Sequence, residues 1–209
     1  MPSAESGGSG AMWYSFDHGP LHVVSLNTET DYAGAPGDSY YPFLGTGGFC
    51  DAFRCGDWTA WLEADLRRVD RAKTPWVVVG GHRPVYSIKG VDPATFAPVD
   101  DYAVLEAAVA KLFAEYEVDL YLCAHEHAYE RQRAINGTTH VLTGCAGNDE
   151  GHSDYDSAVT SAPWNAFWNN AVYGHGELAV ANATHMTWSQ FDDATGAVLD
   201  TTVITREAP

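Results

Sequence analysis

The chain has 209 residues, of which 45% are hydrophobic and 19% are charged, so it is predicted to fold around a core rather than to be disordered. Its 28 acidic and 11 basic residues give a formal charge of −17, which repels a nucleic-acid backbone and excludes that class of partner. No run approaches the roughly 18–20 apolar residues that a membrane span needs, so we expect no membrane association.

The first part of the chain predicts a linker, a hairpin and a long loop. Residues 1–11 are rich in Gly and Ser and have neither the basic start nor the apolar stretch of a signal peptide, so we expect none in this chain. The runs WYSFD and LHVVSLN flank His18-Gly19-Pro20 and predict a β-hairpin. Residues 31–57 lack a periodic pattern and predict a surface loop.

The middle of the chain predicts alternating strands and helices. Thr59–Val69 and Asp101–Tyr116 have apolar residues at helical spacing, and Asp101 suits an N-cap or a first turn. Pro75–Gly81 (PWVVVGG) and Val118–Ala124 (VDLYLCA) are apolar runs, which are typical of strands buried on both faces. This order indicates α/β layering.

The sequence changes character after Arg131. THVLTGCAGN, GELAVANATHMTWSQFD and AVLDTTVIT are β segments with no predicted helix between them. Asp193-Ala194-Thr195-Gly196 predicts a turn between the last two. We expect this β-rich segment to form a second sheet packed on the first.

Four cysteines allow three pairings. Cys50 and Cys55 are close enough in sequence to close a loop, and Cys123 would then pair with Cys145 across two strands. The alternative is four reduced thiols.

Histidines follow both predicted buried strands. His82, with Arg83 beside it, comes after the first strand, and His125 and His127 come after the second. Open α/β sheets bind ligands at the carboxyl ends of their strands. In extended backbone, residues two apart point the same way, so the two imidazoles of an H-x-H pair can approach one metal or flank two. The alternative for each histidine is a hydrogen-bonded loop residue.

The chain resembles purple acid phosphatases, members of the calcineurin-like metallophosphoesterase superfamily, in the two histidine blocks VVVGGHRP and AHEHAYER. Other matching stretches are WYSFDHGPLHVVSLNTETDY, TGCAGNDEG and YGHGELAVANATHMTWSQFDDATGAVLDTTVI. The resemblance implies the C-terminal half of an α/β fold, a layered β-sheet sandwich flanked by helices, with a β-rich C-terminal segment. It also implies that residues 1–137 are the C-terminal part of the metallophosphoesterase domain and residues 138–209 a purple acid phosphatase C-terminal β-rich domain.

The resemblance implies hydrolysis of phosphate monoesters at a dinuclear centre of Fe(3+) and a divalent metal, which is Zn, Mn or Fe. His82 and His125 resemble ligands of the divalent metal, and His127 resembles a ligand of Fe(3+). A bridging hydroxide would attack the phosphorus. Arg83 and Tyr86 are the candidates for substrate contact. Since imidazoles bind metal only when neutral, acidification is expected to release it.

Two other residues of the second block, Glu130 and Arg131, resemble residues that orient metal ligands. The alternative for them is a buried ion pair near the sheet. Ala124 stands where the family usually has the Gly of its GHxH block.

Three further family blocks, DxG, GDxxY and GNH, have no match in this chain, although they should supply the other metal ligands. Residues 1–10 resemble an internal stretch of the family, so we expect the chain to be truncated and to associate through uncovered sheet edges and apolar faces. The alternatives are therefore a non-catalytic fragment, a phosphodiesterase on the same scaffold, or a mononuclear zinc hydrolase using His82, His125 and His127.

Two sequons, Asn136-Gly137-Thr138 and Asn182-Ala183-Thr184, predict a glycoprotein. The resemblance implies that the full-length family member is secreted, or lies in a vacuole or lysosome.

Overall fold

A computed structural model of the chain describes residues 3–9, 12–36 and 57–207. In these residues the helices are α1 (Ser3–Ser6), α2 (Trp58–Leu66) and α3 (Asp100–Glu115), with a short 3-10 helix at Val159–Ser161. The strands are β1 (Tyr14–His18), β2 (Leu21–Ser25), β3 (Trp76–Gly80), β4 (Leu120–Cys123), β5 (Tyr129–Gln132), β6 (Thr139–Thr143), β7 (Asn165–Asn169), β8 (Gly174–Val180), β9 (His185–Asp192) and β10 (Val198–Thr205). No helix in the described ranges is long and apolar enough to cross a membrane.

A seven-stranded sheet with the order β1-β2-β3-β4-β6-β5-β7 forms the centre of the fold. Strands β2, β3, β4 and β6 are parallel neighbours, whereas β1, β5 and β7 pair antiparallel with theirs. Ser25 is level with Gly80, and Gly80 is level with Leu122. The segments that follow β2, β3 and β4 therefore leave the sheet side by side at one edge.

The sheet is buried on both faces, as its apolar strands predict. Val77 and Val79 of β3 lie in a core cluster that includes residues of α2 and α3. The alternate residues Trp76 and Val78 lie in a second cluster, with residues of the three-stranded sheet β10-β9-β8. Each such buried side chain contributes about 1.5–3 kcal/mol, so burial on both faces stabilises a helix–sheet–sheet sandwich. The predicted α/β class is confirmed.

The predicted hairpin, helices and buried strands are found, and Asp101 lies in the first turn of α3. The assignment of the whole β-rich segment to a second sheet is wrong, because β6 lies between β4 and β5 of the large sheet and β7 is its edge strand. The first four residues of β6 are buried, the pattern of a central strand. The sequence does not predict β5 or β7: the run YERQ is mostly polar, and the short run NAFWN has an Asn at each end. The proposed division at residue 137 stays a prediction.

The cysteine pairing across two strands is wrong, since Cys123 and Cys145 are both free. Cys123 lies in the core cluster beside the helices, whereas Cys145 lies in the cluster on the other face of the sheet. Their thiols instead contact backbone oxygens, those of Val141 at 3.5 Å and Gly174 at 3.7 Å. The predicted Cys50–Cys55 pair and most of the predicted surface loop lie outside the described residues.

A buried histidine joins the hairpin to α2. Nδ1 of His22 lies 2.7 Å from Asp17, and Nε2 lies 3.0 Å from Asp65, whose other oxygen accepts from Ser15 and Arg68. Burial alone would lower the pKa of His22, but the two carboxylates raise it overall. Burial alone would raise the pKa of Asp65, but its hydrogen bonds lower it. The pair therefore favours the doubly hydrogen-bonded imidazolium.

We expect His22→Gln to lower the free energy of unfolding by about 1–3 kcal/mol at pH 5–6, where both charges are present. Because the pKa of His22 is raised in the folded state, its charged form stabilises the fold fully below about pH 6.5. This contribution disappears as the pH rises through the folded-state pKa. In strong acid the same contribution is lost again, because Asp65 becomes protonated once the pH falls through its lowered pKa. Urea unfolding from pH 4 to pH 9 measures this, with the exposed His18→Gln as the matched control. A deficit that grows above pH 7 would contradict the assignment.

Candidate metal centre

Three potential ligands meet at the edge where β2, β3 and β4 end. Glu29 follows β2, His82 follows β3 and His125 follows β4. Nδ1 of His125 lies 3.2 Å from Nε2 of His82, and that Nε2 lies 3.8 Å from Oε1 of Glu29. Potential ligand atoms of the three residues all lie within 4.8 Å of one another. The predicted convergence of His82 and His125 is therefore present, and Glu29 is an addition that the sequence does not indicate.

The backbone around His125 is not extended, so the expectation that the two histidines of the H-x-H pair point the same way is wrong. The N–H of Glu126 donates to the carbonyl of Ala124 at 2.8 Å, and the N–H of Ala128 donates to the carbonyl of Glu126 at 2.9 Å. These bonds close two consecutive three-residue turns centred on His125 and His127. His125 has φ +67°, a strained conformation for a non-glycine residue. Strain of this kind is typical of functional sites.

His127 lies outside the group that the other two histidines form with Glu29. Its Nδ1 is 3.1 Å from the carbonyl oxygen of Gly151, and its Nε2 is 3.7 Å from the carboxylate of Glu150. A carbonyl only accepts, so Nδ1 carries the proton in the neutral ring and Nε2 offers the lone pair. His127 thus presents a nitrogen toward the segment that follows β6, separately from the histidine pair.

Arg83 lies beside the histidine pair and is held by two carboxylates. Its Nε donates to Glu29 at 2.8 Å and its Nη1 to Asp101 at 3.1 Å, and Nη1 is 3.4 Å from Nε2 of His125. Together with Pro84, Asp101, Tyr102 and His125 it lines a shallow cleft. Burial lowers the pKa of His125, and the charge of Arg83 lowers it further. The neutral imidazole, which is the form that binds metal, is therefore favoured.

Tyr86, the other predicted substrate contact, is directed into the core. Its side chain is buried, its hydroxyl donates to Glu106 of α3 at 2.8 Å, and its ring packs edge-on against His140. Burial and the Glu106 carboxylate raise its pKa. These contacts tie the segment after β3 to α3.

Glu126, between His125 and His127, connects three loops through one buried carboxylate. It accepts hydrogen bonds from Tyr102 of α3, from Lys89 at 2.7 Å and from Ser153 at 3.0 Å. The Ser153 hydroxyl also accepts from the backbone N–H of His127 at 2.9 Å. Burial alone would raise the pKa of Glu126, but Lys89 and Tyr102 lower it overall. An ionised Glu126 therefore fixes the turns that carry the histidines.

Glu130 and Arg131 do not pair with each other. Glu130 is fully buried and accepts from Ser87, the N–H of Ile88, Tyr155 and Gln132. Burial raises its pKa to about 7. Arg131 makes a bidentate pair with Asp200 of β10 at 2.6 and 2.9 Å. Successive residues of a strand point to opposite faces, so the buried ion pair near the sheet forms between Arg131 and Asp200 and not between Glu130 and Arg131.

Comparison with known proteins gives two family matches. Residues 6–129 match the calcineurin-like phosphoesterases, and residues 137–201 match the family described as iron/zinc purple acid phosphatase-like protein C. An acid phosphatase from Aspergillus ficuum is 31% identical over 244 residues, and acid phosphatase type 7 from Homo sapiens is 33% identical over 239 residues. These alignments cover 96% and 99% of this chain but 38% and 48% of the relatives. The chain thus spans less than half their length.

A solved structure supports the fold. A purple acid phosphatase isolated from yellow lupin seeds superposes with a TM-score of 0.70 at 23% sequence identity. The superposition covers 93% of this chain and 33% of that chain.

We expect Glu126→Ala to lower the free energy of unfolding by about 1–3 kcal/mol. Tyr102 and Ser153 lose their acceptor in buried surroundings, whereas the partly exposed Lys89 regains water. Chemical denaturation measures the loss. The control is Glu150→Ala, because the Glu150 side chain is 77% exposed. Equal stability of the two variants would show that Glu126 does not hold the loops.

Proposed function

We propose a function from one premise: the chain belongs to the calcineurin-like phosphoesterase family, in its purple acid phosphatase branch. The function is metal-dependent hydrolysis of phosphate monoesters, with this chain supplying the histidine side of the metal centre. The observation that carries the proposal is the approach of two imidazole nitrogens to 3.2 Å at the carboxyl ends of adjacent parallel strands.

The histidine pair fits a divalent metal. A metal at about 2.0–2.1 Å from two nitrogens, with a tetrahedral angle between them, would separate the nitrogens by about 3.3–3.4 Å. The observed 3.2 Å is close to that spacing. At the same distance one ring can donate to the other in the metal-free protein, so the pair is kept together with or without a metal.

The finer assignment of ligands follows the same geometry. We propose that Nε2 of His82 and Nδ1 of His125 bind the divalent metal, which is Zn, Mn or Fe, and that Nε2 of His127 binds Fe(3+). The separation of His127 from the pair supports two metal positions. Imidazole ligands suit both ions.

The metals would supply an activated hydroxide and stabilise charge on the phosphate oxygens. The chain's own residues bind the metal, hold the ligands in place and contact the substrate. Neutral His125 keeps its lone pair for binding, and Glu126 holds the turns of His125 and His127 in place. Arg83, anchored by Glu29 and Asp101, places a permanent positive charge beside the cleft, where a phosphate oxygen can accept from it. Tyr86 acts by positioning α3.

We also propose that the protein is secreted or lies in a vacuole or lysosome, and that Asn136 carries a glycan. Asn136 is exposed in a tight turn next to Gly137. The side-chain oxygen of the second sequon, Asn182, accepts from the backbone of Thr184 and His185. Met12 precedes edge strand β1 and Phe16 lies in it; both are exposed, and they form the surface through which we propose that the chain associates.

The test is hydrolysis of p-nitrophenyl phosphate by the full chain loaded with Fe(3+) and Zn²⁺, with bis(p-nitrophenyl) phosphate as the diester alternative. Because the blocks for the other ligands have no match in this chain, we expect turnover of the monoester only in samples that bind two metals, and in those samples a loss on the order of 100-fold in kcat for His82→Ala or His125→Ala. The matched control is His18→Ala, an exposed histidine of the first hairpin.

Metal analysis of the same samples completes this test. Two metals per chain would support the dinuclear proposal. Turnover that His82→Ala leaves unchanged would contradict the proposed site, and preferred hydrolysis of the diester would contradict the substrate class. Metal-free, inactive protein would leave the non-catalytic alternative.

A further inference from the structure

Among the described residues, one oxygen of the Glu29 carboxylate accepts a hydrogen bond and the other has no partner. Oε1 accepts from Nε of Arg83 at 2.8 Å and lies 3.8 Å from Nε2 of His82. Oε2 is buried and has no hydrogen-bond partner among the described residues. A buried carboxylate oxygen without a donor is costly, about 1–3 kcal/mol or more. One carboxylate oxygen of Glu29 lies within 4.8 Å of a ligand nitrogen of both His82 and His125, and this grouping points to a cation as the missing partner.

The three groups form a recognised kind of donor set. Two imidazole nitrogens and one carboxylate oxygen bind zinc in catalytic sites that leave a fourth position open. The ligands come from three neighbouring strand ends, so the sheet itself fixes their spacing. Mg²⁺ would instead prefer a set made of oxygens alone. The chemistry therefore favours a transition-metal ion of the zinc class.

We infer that Glu29 is a metal ligand, so that Glu29, His82 and His125 bind one divalent transition-metal ion with residues of this chain alone. The inference rests on the proposed function for the roles of the two histidines and adds the third ligand. The open fourth position accepts water or a phosphate oxygen. His127 is not part of this site, and the three-histidine zinc site considered from the sequence is replaced by a two-histidine, one-carboxylate site.

Arg83 positions the third ligand. Its backbone N–H donates to the hydroxyl of Thr28 at 2.7 Å, and its guanidinium donates to Oε1 of Glu29. These two bonds hold the segment after β2 against the segment after β3. The charge-assisted bond fixes the plane of the carboxylate, and the second oxygen, Oε2, has no donor among the described residues. Arg83 then acts on the metal through Glu29 as well as on the substrate.

The experiment is calorimetric titration of the chelator-treated full chain with Zn²⁺. We expect about one equivalent bound tightly by the wild type, and affinity lowered more than about 100-fold in Glu29→Gln, since even the loss of an outer-shell partner costs 10–100-fold. His82→Ala is expected to lose binding as well. The matched control is Glu150→Gln, which removes the exposed carboxylate beside His127 and leaves this affinity unchanged.

The outcomes separate the inference from the proposed function. If His82→Ala weakens binding and Glu29→Gln does not, Glu29 is not a ligand and the histidine pair stands. If neither variant weakens zinc binding, the inference about Glu29 and the proposed ligand roles of the two histidines both fail. If His127→Ala weakens this same zinc as much as His82→Ala, the assignment of His127 to a separate position fails, and the inference with it.

A measurement on the wild type keeps the inference testable if a variant does not fold. Anomalous scattering from crystals of the zinc-loaded chain places the ion directly. We expect it about 2.0–2.2 Å from Nε2 of His82, Nδ1 of His125 and a Glu29 oxygen. An ion bound by both histidines, with Glu29 contacting Arg83 alone, would overturn the inference.

Discussion

The site depends on the parallel pairing of β2, β3 and β4 in register. Because Ser25, Gly80 and Leu122 stand level, the segments that follow them emerge together at one edge. That pairing is itself stabilised by burial on both faces, with helices on one side and the three-stranded sheet on the other. Residues 29, 82 and 125 are far apart in sequence, and the sheet alone brings their side chains within a few ångströms.

Buried charges then hold the loops around that edge. Glu126 connects three loops through one carboxylate. Glu130 accepts hydrogen bonds from four donors. The ion pair of Arg131 with Asp200 connects the large sheet to β10. Each of these three buried acids has hydrogen-bond donors or a cationic partner, as burial of a polar group requires. The chain carries a formal charge of −17, yet these acids are structural parts, not merely a solvated surface.

Much of the site follows from the sequence because strand ends are visible in it. The apolar runs WVVVG and LYLC locate β3 and β4, and His82 and His125 come directly after them. Glu29 is not visible in this way: it is four residues past β2, and one acid among many carries no signal. The separation of His127 is implied by the family resemblance but not by the residue pattern, because the tight turns on either side of Glu126 depend on bonds to Ser153 and to backbone carbonyls that only the folded chain provides.

The central claim is that His82 and His125 converge on one metal through specified nitrogens. Long-range ¹H–¹⁵N spectra of the nine histidine rings, recorded while Zn²⁺ is added, test it most directly because they report on each ring nitrogen. At one equivalent of zinc, the account predicts that Nε2 of His82 and Nδ1 of His125 shift together, while the rings of His18, His22 and His140 stay unchanged. Zinc that shifts neither nitrogen, or that binds His125 through Nε2 on the side of Arg83, would contradict it.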